Sequence, residues 1–199
     1  TQPEHKADVR RAAEYLRDQM EATGFPEARV IDTEGHPIVY GEWMDAGAEA
    51  PTVLVYGHYD VQPPDPLDLW ESPPFEPTLR GDDLYARGAS DDKGQSYIHV
   101  KAAETLDATA EELPVNLKFV FEGEEETGSP HLDPFVEAHS EMLSADVALI
   151  SDTHILSKDQ PSIVYALRGL AYLEITVIGP DHDLHSGTYG GAVQNPINA

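Results

Sequence analysis

Three short apolar runs, at residues 52–56, 115–121 and 145–150, each give way within two residues to a histidine or a carboxylate. Runs of this length, rich in β-branched and aromatic residues, are too short for helices and read as strands buried on both faces. Helical spacing lies between and before them. Val9, Ala12, Ala13, Leu16 and Met20 share one face of residues 5–23, which Gly24 and Pro26 close. Ile98, Ala102, Ala103 and Leu106 share a face of residues 94–106, and residues 131–143 read as a further helix. Residues 28–31 and 37–43 add strand-like runs, and the Pro- and Asp-rich stretch 62–83 predicts an irregular loop. Strands alternating with helices predict an α/β protein, a three-layer α/β/α sandwich around a mostly parallel sheet. The character changes at Arg168-Gly169: residues 170–178 alternate like a strand, and residues 179–191 form a loop rich in Gly, Asp and His. Two domains are therefore expected, 1–168 and 169–199.

Charge and composition exclude several classes of function. The chain carries 37 acidic against 12 basic residues, a net charge of -25. Such a surface repels nucleic acid and anionic membrane, so neither is an expected partner. No apolar run approaches the ~20 residues needed to span a bilayer. With no cysteine, disulfides, thiolate zinc sites and cysteine nucleophiles are all ruled out. No charged-then-apolar leader is visible in the first residues, and a cytoplasmic location is expected.

The polar residues at the strand ends carry the chemistry. In open α/β sheets, sites form at the carboxyl ends of strands. After residues 52–56 comes Gly57-His58-Tyr59-Asp60. Alternate residues of an extended segment point to one side, so Asp60 can accept one ring N–H of His58 and leave the other nitrogen for a metal. A plain hydrogen-bonded His–Asp pair gives the same pattern. Gly88-Ala89-Ser90-Asp91-Asp92-Lys93-Gly94 places two adjacent carboxylates before a helix. They suit a hard or borderline cation, which a carboxylate can bridge to a second ion, and they equally suit a helix cap. Glu122-Gly123-Glu124-Glu125-Glu126-Thr127-Gly128-Ser129 follows residues 115–121. It reads as a metal-binding turn or as a solvated acidic one. Ser151-Asp152-Thr153-His154 ends the third run and is weak evidence alone. Taken together, oxygen and nitrogen ligands at four strand ends of one layer fit a two-ion hydrolytic site. Such a site also needs one carboxylate held off the metals as a proton acceptor.

The runs Gly57-His58-Tyr59-Asp60-Val61-Gln62-Pro63, Gly88-Ala89-Ser90-Asp91-Asp92-Lys93-Gly94 and Glu124-Glu125-Glu126-Thr127-Gly128-Ser129 resemble the signatures of a dinuclear metallopeptidase family. That family contains carnosinase, Xaa-dipeptidases, carboxypeptidase G, aminoacylase and succinyl-diaminopimelate desuccinylase. The loop from Gly179 through His185 to Gly187 and the stretch 70–75 are similar to the carnosinase-like branch. The resemblance covers nearly all of the chain from about residue 8. It implies a hydrolase-type α/β catalytic domain and the start of an α+β lid. It further implies two divalent ions, zinc first, with manganese or cobalt as alternatives. On this likeness His58 and Asp152 hold one ion, Asp91 bridges both, Glu126 holds the second, and Glu125 is the general base. Asp60 orients His58, and His185 on the lid stabilises the oxyanion, reaching the neighbouring subunit's site in a homodimer. A cis peptide is expected at Asp91–Asp92. The implied substrate is a dipeptide or short amide, with N-acyl amino acids or a non-catalytic metal-binding role as alternatives. Members of the family are longer, so these 199 residues are expected to be a portion that lacks one further histidine ligand. His5, His36, His99, His131, His139 and His154 match no position of the family and read as structural or surface residues.

Overall fold

The computed structural model describes residues 2–109 and 113–198. The chain divides into two compact units, Thr1–His154 and Ile155–Ala199. In the first, a 3-10 turn (Pro3–His5) leads into helix α1 (Lys6–Ala22), which buries Ala13, Leu16 and Met20 at the spacing the sequence shows. Strands β1 (Glu27–Ile31), β2 (Ile38–Trp43) and β3 (Thr52–His58) follow. A small hairpin of β4 (Thr78–Arg80) and β5 (Asp83–Tyr85) comes next. The unit is completed by α2 (Lys93–Thr109), β6 (Asn116–Glu122), α3 (Leu132–Ala138) and β7 (Val147–Ile150).

The sheet runs in the order β1-β2-β6-β3-β7. β3 pairs in parallel with β6 on one side and β7 on the other, while β2 pairs antiparallel with both β6 and β1. The parallel part is thus β6-β3-β7, and the sheet as a whole is mixed. All seven residues of β6 are buried, as a central strand covered on both faces must be. Its side chains alternate between two cores. Leu117, Phe119 and Phe121 join Ala13, Leu16, Met20, Val100 and Ala103 beneath α1 and α2. Val120 joins Ile38, Tyr40, Phe135 and Leu143 on the α3 face. The three layers follow from topology. The crossover from β3 to β6 and the crossover from β6 to β7 run in opposite directions along the sheet, so crossovers of one hand put α2 and α3 on opposite faces.

Three local expectations need correction. Residues 62–83 are not wholly irregular: a 3-10 turn spans Leu67–Leu69, and the β4–β5 hairpin turns at Gly81, where φ is +65°. Strands of three residues are too short to leave a periodic signal. The helix expected over 131–143 stops at Ala138 and continues as turns, one of which still buries Leu143. The strand expected at 170–178 does not form. The second unit holds only α4 (Ser186–Tyr189), a 3-10 turn and two isolated bridges among its described residues. Alternation alone cannot make a strand; the backbone needs a partner ladder, and no described segment of this unit offers one. Leu170 and Tyr172 accordingly stand 92% and 84% exposed.

Candidate metal centre

Register brings the motifs together. His58 of β3 lies opposite Glu122 of β6, and Tyr56 of β3 lies opposite Ile150 of β7. The carboxyl ends of three parallel strands therefore form one rim, and the residues just beyond each strand meet there.

His58 is fully buried at the centre of this rim. Its Nδ1 lies 3.3 Å from Asp60 Oδ1. Its Nε2 lies 3.1 Å from Asp91 Oδ1, 3.7 Å from Asp152 Oδ2 and 3.9 Å from Glu125 Oε2. One ligand atom from each of His58, Asp91 and Asp152 lies within 4.8 Å of the other two. Burial alone would lower the His58 imidazole, but Asp60 first, then Asp92 and Glu125, outweigh it and push its pKa up to about 9. A site in which carboxylates hold a proton on an imidazole is one that a divalent cation fits, because the cation replaces that proton and neutralises the same charges.

Asp60 is almost fully buried beside the imidazole. Its two oxygens accept the backbone N–H groups of Glu125 at 3.2 Å and Glu126 at 3.1 Å. One carboxylate beside the imidazole thus holds the start of the acidic turn Glu125–Thr127. That turn leaves the chain through Gly128 at φ +90°, a conformation glycine adopts without strain. Burial pushes the Glu125 carboxyl up, the His58 charge pulls it back, and Glu126, Asp152 and Asp60 push it further up. Burial, then Asp92 and Asp91, likewise raise Asp152.

The Asp91–Asp92 peptide is cis. Asp91 is exposed beside His58 Nε2, while Asp92 is buried. Asp92 Oδ2 accepts the His58 backbone N–H at 3.2 Å and the Ser96 hydroxyl at 2.8 Å. This close approach requires glycine at position 57, since a Cβ there would sit 2.2 Å from Ser96 Oγ. Lys93 donates to the carbonyl of Tyr59, fixing the link between His58 and Asp60.

Of the residues singled out in the sequence, the structure gathers His58, Asp60, Asp91, Glu125 and Asp152. Glu126 is held differently: its carboxylate accepts the backbone N–H of Gln62 at 3.2 Å and the Gln62 side-chain amide at 2.9 Å. His185 belongs to the second unit, where it caps α4 and its Nδ1 accepts the Gly187 N–H at 3.1 Å. Sequence reasoning gave no role to Gln62, Glu122 or Ser96, and read Asp92 only as one of two adjacent carboxylates. Glu122 is buried at the end of β6 and accepts hydroxyls from Tyr56 and Ser129. The spacing Asp92–Ser96, one helical turn, was the one signal available for that pair.

A histidine and carboxylates converging at the ends of parallel strands, with a further carboxylate alongside, define a divalent-metal site of the kind metallopeptidases use. The chain belongs to Peptidase family M20/M25/M40, whose profile matches residues 54–188. It is 42% identical over 164 residues to the Cys-Gly metallodipeptidase dug1 of Schizosaccharomyces pombe, covering 81% of this chain and 34% of that protein. It is 40% identical over 163 residues to the Beta-Ala-His dipeptidase of Mus musculus, covering 81% of this chain and 33% of that one. The crystal structure of human carnosine dipeptidase 1 superposes with a TM-score of 0.72 at 30% identity, over 99% of this chain and 43% of that one. The chain thus spans well under half the length of the relatives it matches. Among the described residues, no helix is long and apolar enough to cross a membrane.

Proposed function

We propose that the protein hydrolyses the amide bond of dipeptides or similarly short peptides. On this reading residues 1–168 belong to the catalytic domain and residues 169–199 begin a lid. The observation that carries the reading is the convergence of His58, Asp91 and Asp152, with Glu125 Oε2 3.9 Å from the same imidazole nitrogen. The relatives are named as dipeptidases, which favours a two-residue substrate over an N-acyl amino acid.

His58 and Asp152 would hold one divalent ion, Asp91 would be shared, and Glu126 would hold a second, with zinc the first expectation. Such ions, when bound, lower the pKa of a water and polarise the scissile carbonyl. The chain's own residues do the rest. Asp60 fixes the imidazole so that Nε2 faces Asp91 and Asp152. Glu125 stands outside the three-ligand cluster, anchored through its backbone by Asp60. Its carboxylate, made more basic by burial and by neighbouring acids, takes the proton of the attacking water and returns it to the leaving amine. His185 donates to the oxyanion from the partner protomer of a homodimer. A cytoplasmic location goes with this reading and is checked by cell fractionation.

The test is Glu125→Gln in the full natural chain. Turnover of Cys-Gly and β-Ala-His should fall by about 10²–10⁴-fold, the range for loss of a general base, with metal content unchanged. Near-normal turnover would refute the assignment.

A further inference from the structure

We propose that His99, which no family signature singles out, is a positioning residue that sets the place of Asp152 through Ser151. The inference rests on the metal-site reading above.

Asp152 lies two residues beyond the last residue of β7, where the register with β3 has ended at Tyr56 and Ile150. Residues 151–154 form neither helix nor strand, and Ser151 and Thr153 close a tight local bend through a 2.7 Å backbone hydrogen bond. Among the described residues, the only side-chain hydrogen bond made by this segment joins Ser151 Oγ to His99 Nε2 at 2.6 Å. The bond reaches back 52 residues in sequence, to the middle of α2.

α2 is already the fixed element of the centre. Asp91 and Asp92 lead into it, Asp92 holds the backbone of His58, and Ser96 holds Asp92. His99 follows Ser96 by three residues, so both lie on the helix face turned to the strand ends. This helix and the two residues that lead into it therefore set three of the centre's donors: Asp91 directly, His58 through Asp92, and Asp152 through His99 and Ser151. Asp152 is a partly exposed carboxylate, 34% accessible, and its oxygen stands 3.7 Å from His58 Nε2. Among the described residues, no other side-chain hydrogen bond from another element holds the segment that carries it. A ligand that must be ordered at the moment of binding gives a weaker and less regular site.

The experiment uses the full natural chain, stripped of metal, with Co²⁺ and Zn²⁺ as probes. Affinity is read by competition with a chromophoric chelator, and ligand geometry by the Co²⁺ visible absorption band. His99→Phe and Ser151→Ala should each weaken binding by roughly 10–100-fold and alter the Co²⁺ band. His99→Gln, which can still reach the serine hydroxyl, should restore both. The double variant should be no worse than either single one, because both break one bond. If His99→Phe fails to fold, Ser151→Ala alone carries the test. Wild-type affinity and an unaltered band in Ser151→Ala overturn the proposal, as do effects that multiply in the double variant. Failure of the wild-type chain to bind either ion overturns this inference together with the reading it rests on; binding by wild type and variants alike overturns this one only.

Discussion

Replacing Asp60 by Asn keeps the size of a buried group and removes its charge. Asp60 accepts two backbone N–H groups, at 3.2 and 3.1 Å, and stands 3.3 Å from His58 Nδ1. An amide has one oxygen, so one side of the new side chain must present NH₂ to an N–H that expects an acceptor. A buried donor left without a partner costs about 1–3 kcal/mol. The other N–H keeps its bond but loses the charge that strengthened it, roughly another 1 kcal/mol. Against this, the change removes one carboxylate from a crowded acidic rim, so global stability is expected to fall by only about 1–3 kcal/mol. Metal binding is more sensitive. If the NH₂ turns toward Nδ1, that nitrogen becomes an acceptor and the ring proton goes to Nε2, the nitrogen that faces Asp91 and Asp152; if the oxygen does, Nδ1 loses its charged partner. Loss of such an orienting partner weakens metal sites about 10–100-fold, which is about 1.4–2.7 kcal/mol. Turnover should fall further, because the same carboxylate anchors Glu125. The assay is Zn²⁺ competition against a chromophoric chelator in the full natural chain, with thermal unfolding in parallel. A folded Asp60→Asn variant with Zn²⁺ affinity within twofold of wild type would show that Asp60 does not orient the imidazole.

Removing metal with a chelator should lower Tm, since a ligand present at 100 times its dissociation constant stabilises by about 2.7 kcal/mol; a thermal scan with and without chelator reads it, and an unchanged Tm counts against the site. Gly57→Ala should destabilise by about 1–3 kcal/mol in chemical denaturation, because the new methyl would meet Ser96 Oγ at 2.2 Å and Asp92 Oδ2 at 2.6 Å. His36 is held below the ordinary histidine pKa by burial, against the opposing pull of Glu124 and Asp60. The unfolded chain then binds the extra proton first as pH falls through 6.5, so stability falls toward acid, and His36→Gln should flatten that slope in urea titrations between pH 7 and 5.

The strands and their chemistry were legible because both are written in short, contiguous signals. Residues 52–56 and 115–121 are apolar runs that only a covered strand accommodates, and the polar residues that follow stand at strand ends by necessity. What joins those ends was not legible. Asp60 bonding Glu125 and Glu126, Asp92 bonding His58, and His99 bonding Ser151 are contacts across 65, 66, 34 and 52 residues. They depend on strand order, and nothing in a linear pattern shows that β6 lies between β2 and β3. The missing strand at 170–178 is the converse case: its pattern was right for a strand, but a strand is a property of two segments.

The rim also separates its carboxylates into two kinds, and the division predicts how metal binds. Asp60, Asp92, Glu122 and Glu126 each accept N–H or O–H donors from the fold. Among the described residues, Asp91 has only His58 as a side-chain partner, and neither the Glu125 nor the Asp152 carboxylate accepts a hydrogen bond. The unbraced group surrounds one position, so the first ion should enter there. A second ion that uses Glu126 must take it from Gln62. Two ions are therefore expected to bind in sequence and with unequal affinity. In Gln62→Ala the 2.9 Å amide bond is lost while the backbone N–H at residue 62 remains. An exposed hydrogen bond to a charge is worth about 1 kcal/mol net, so the weaker site should tighten roughly fivefold and the stronger one should not change. Titration calorimetry on the metal-free full chain resolves the two steps. Equal sites in wild type, or a stronger site that moves with Gln62, would mean that Glu126 already stands where a metal finds it.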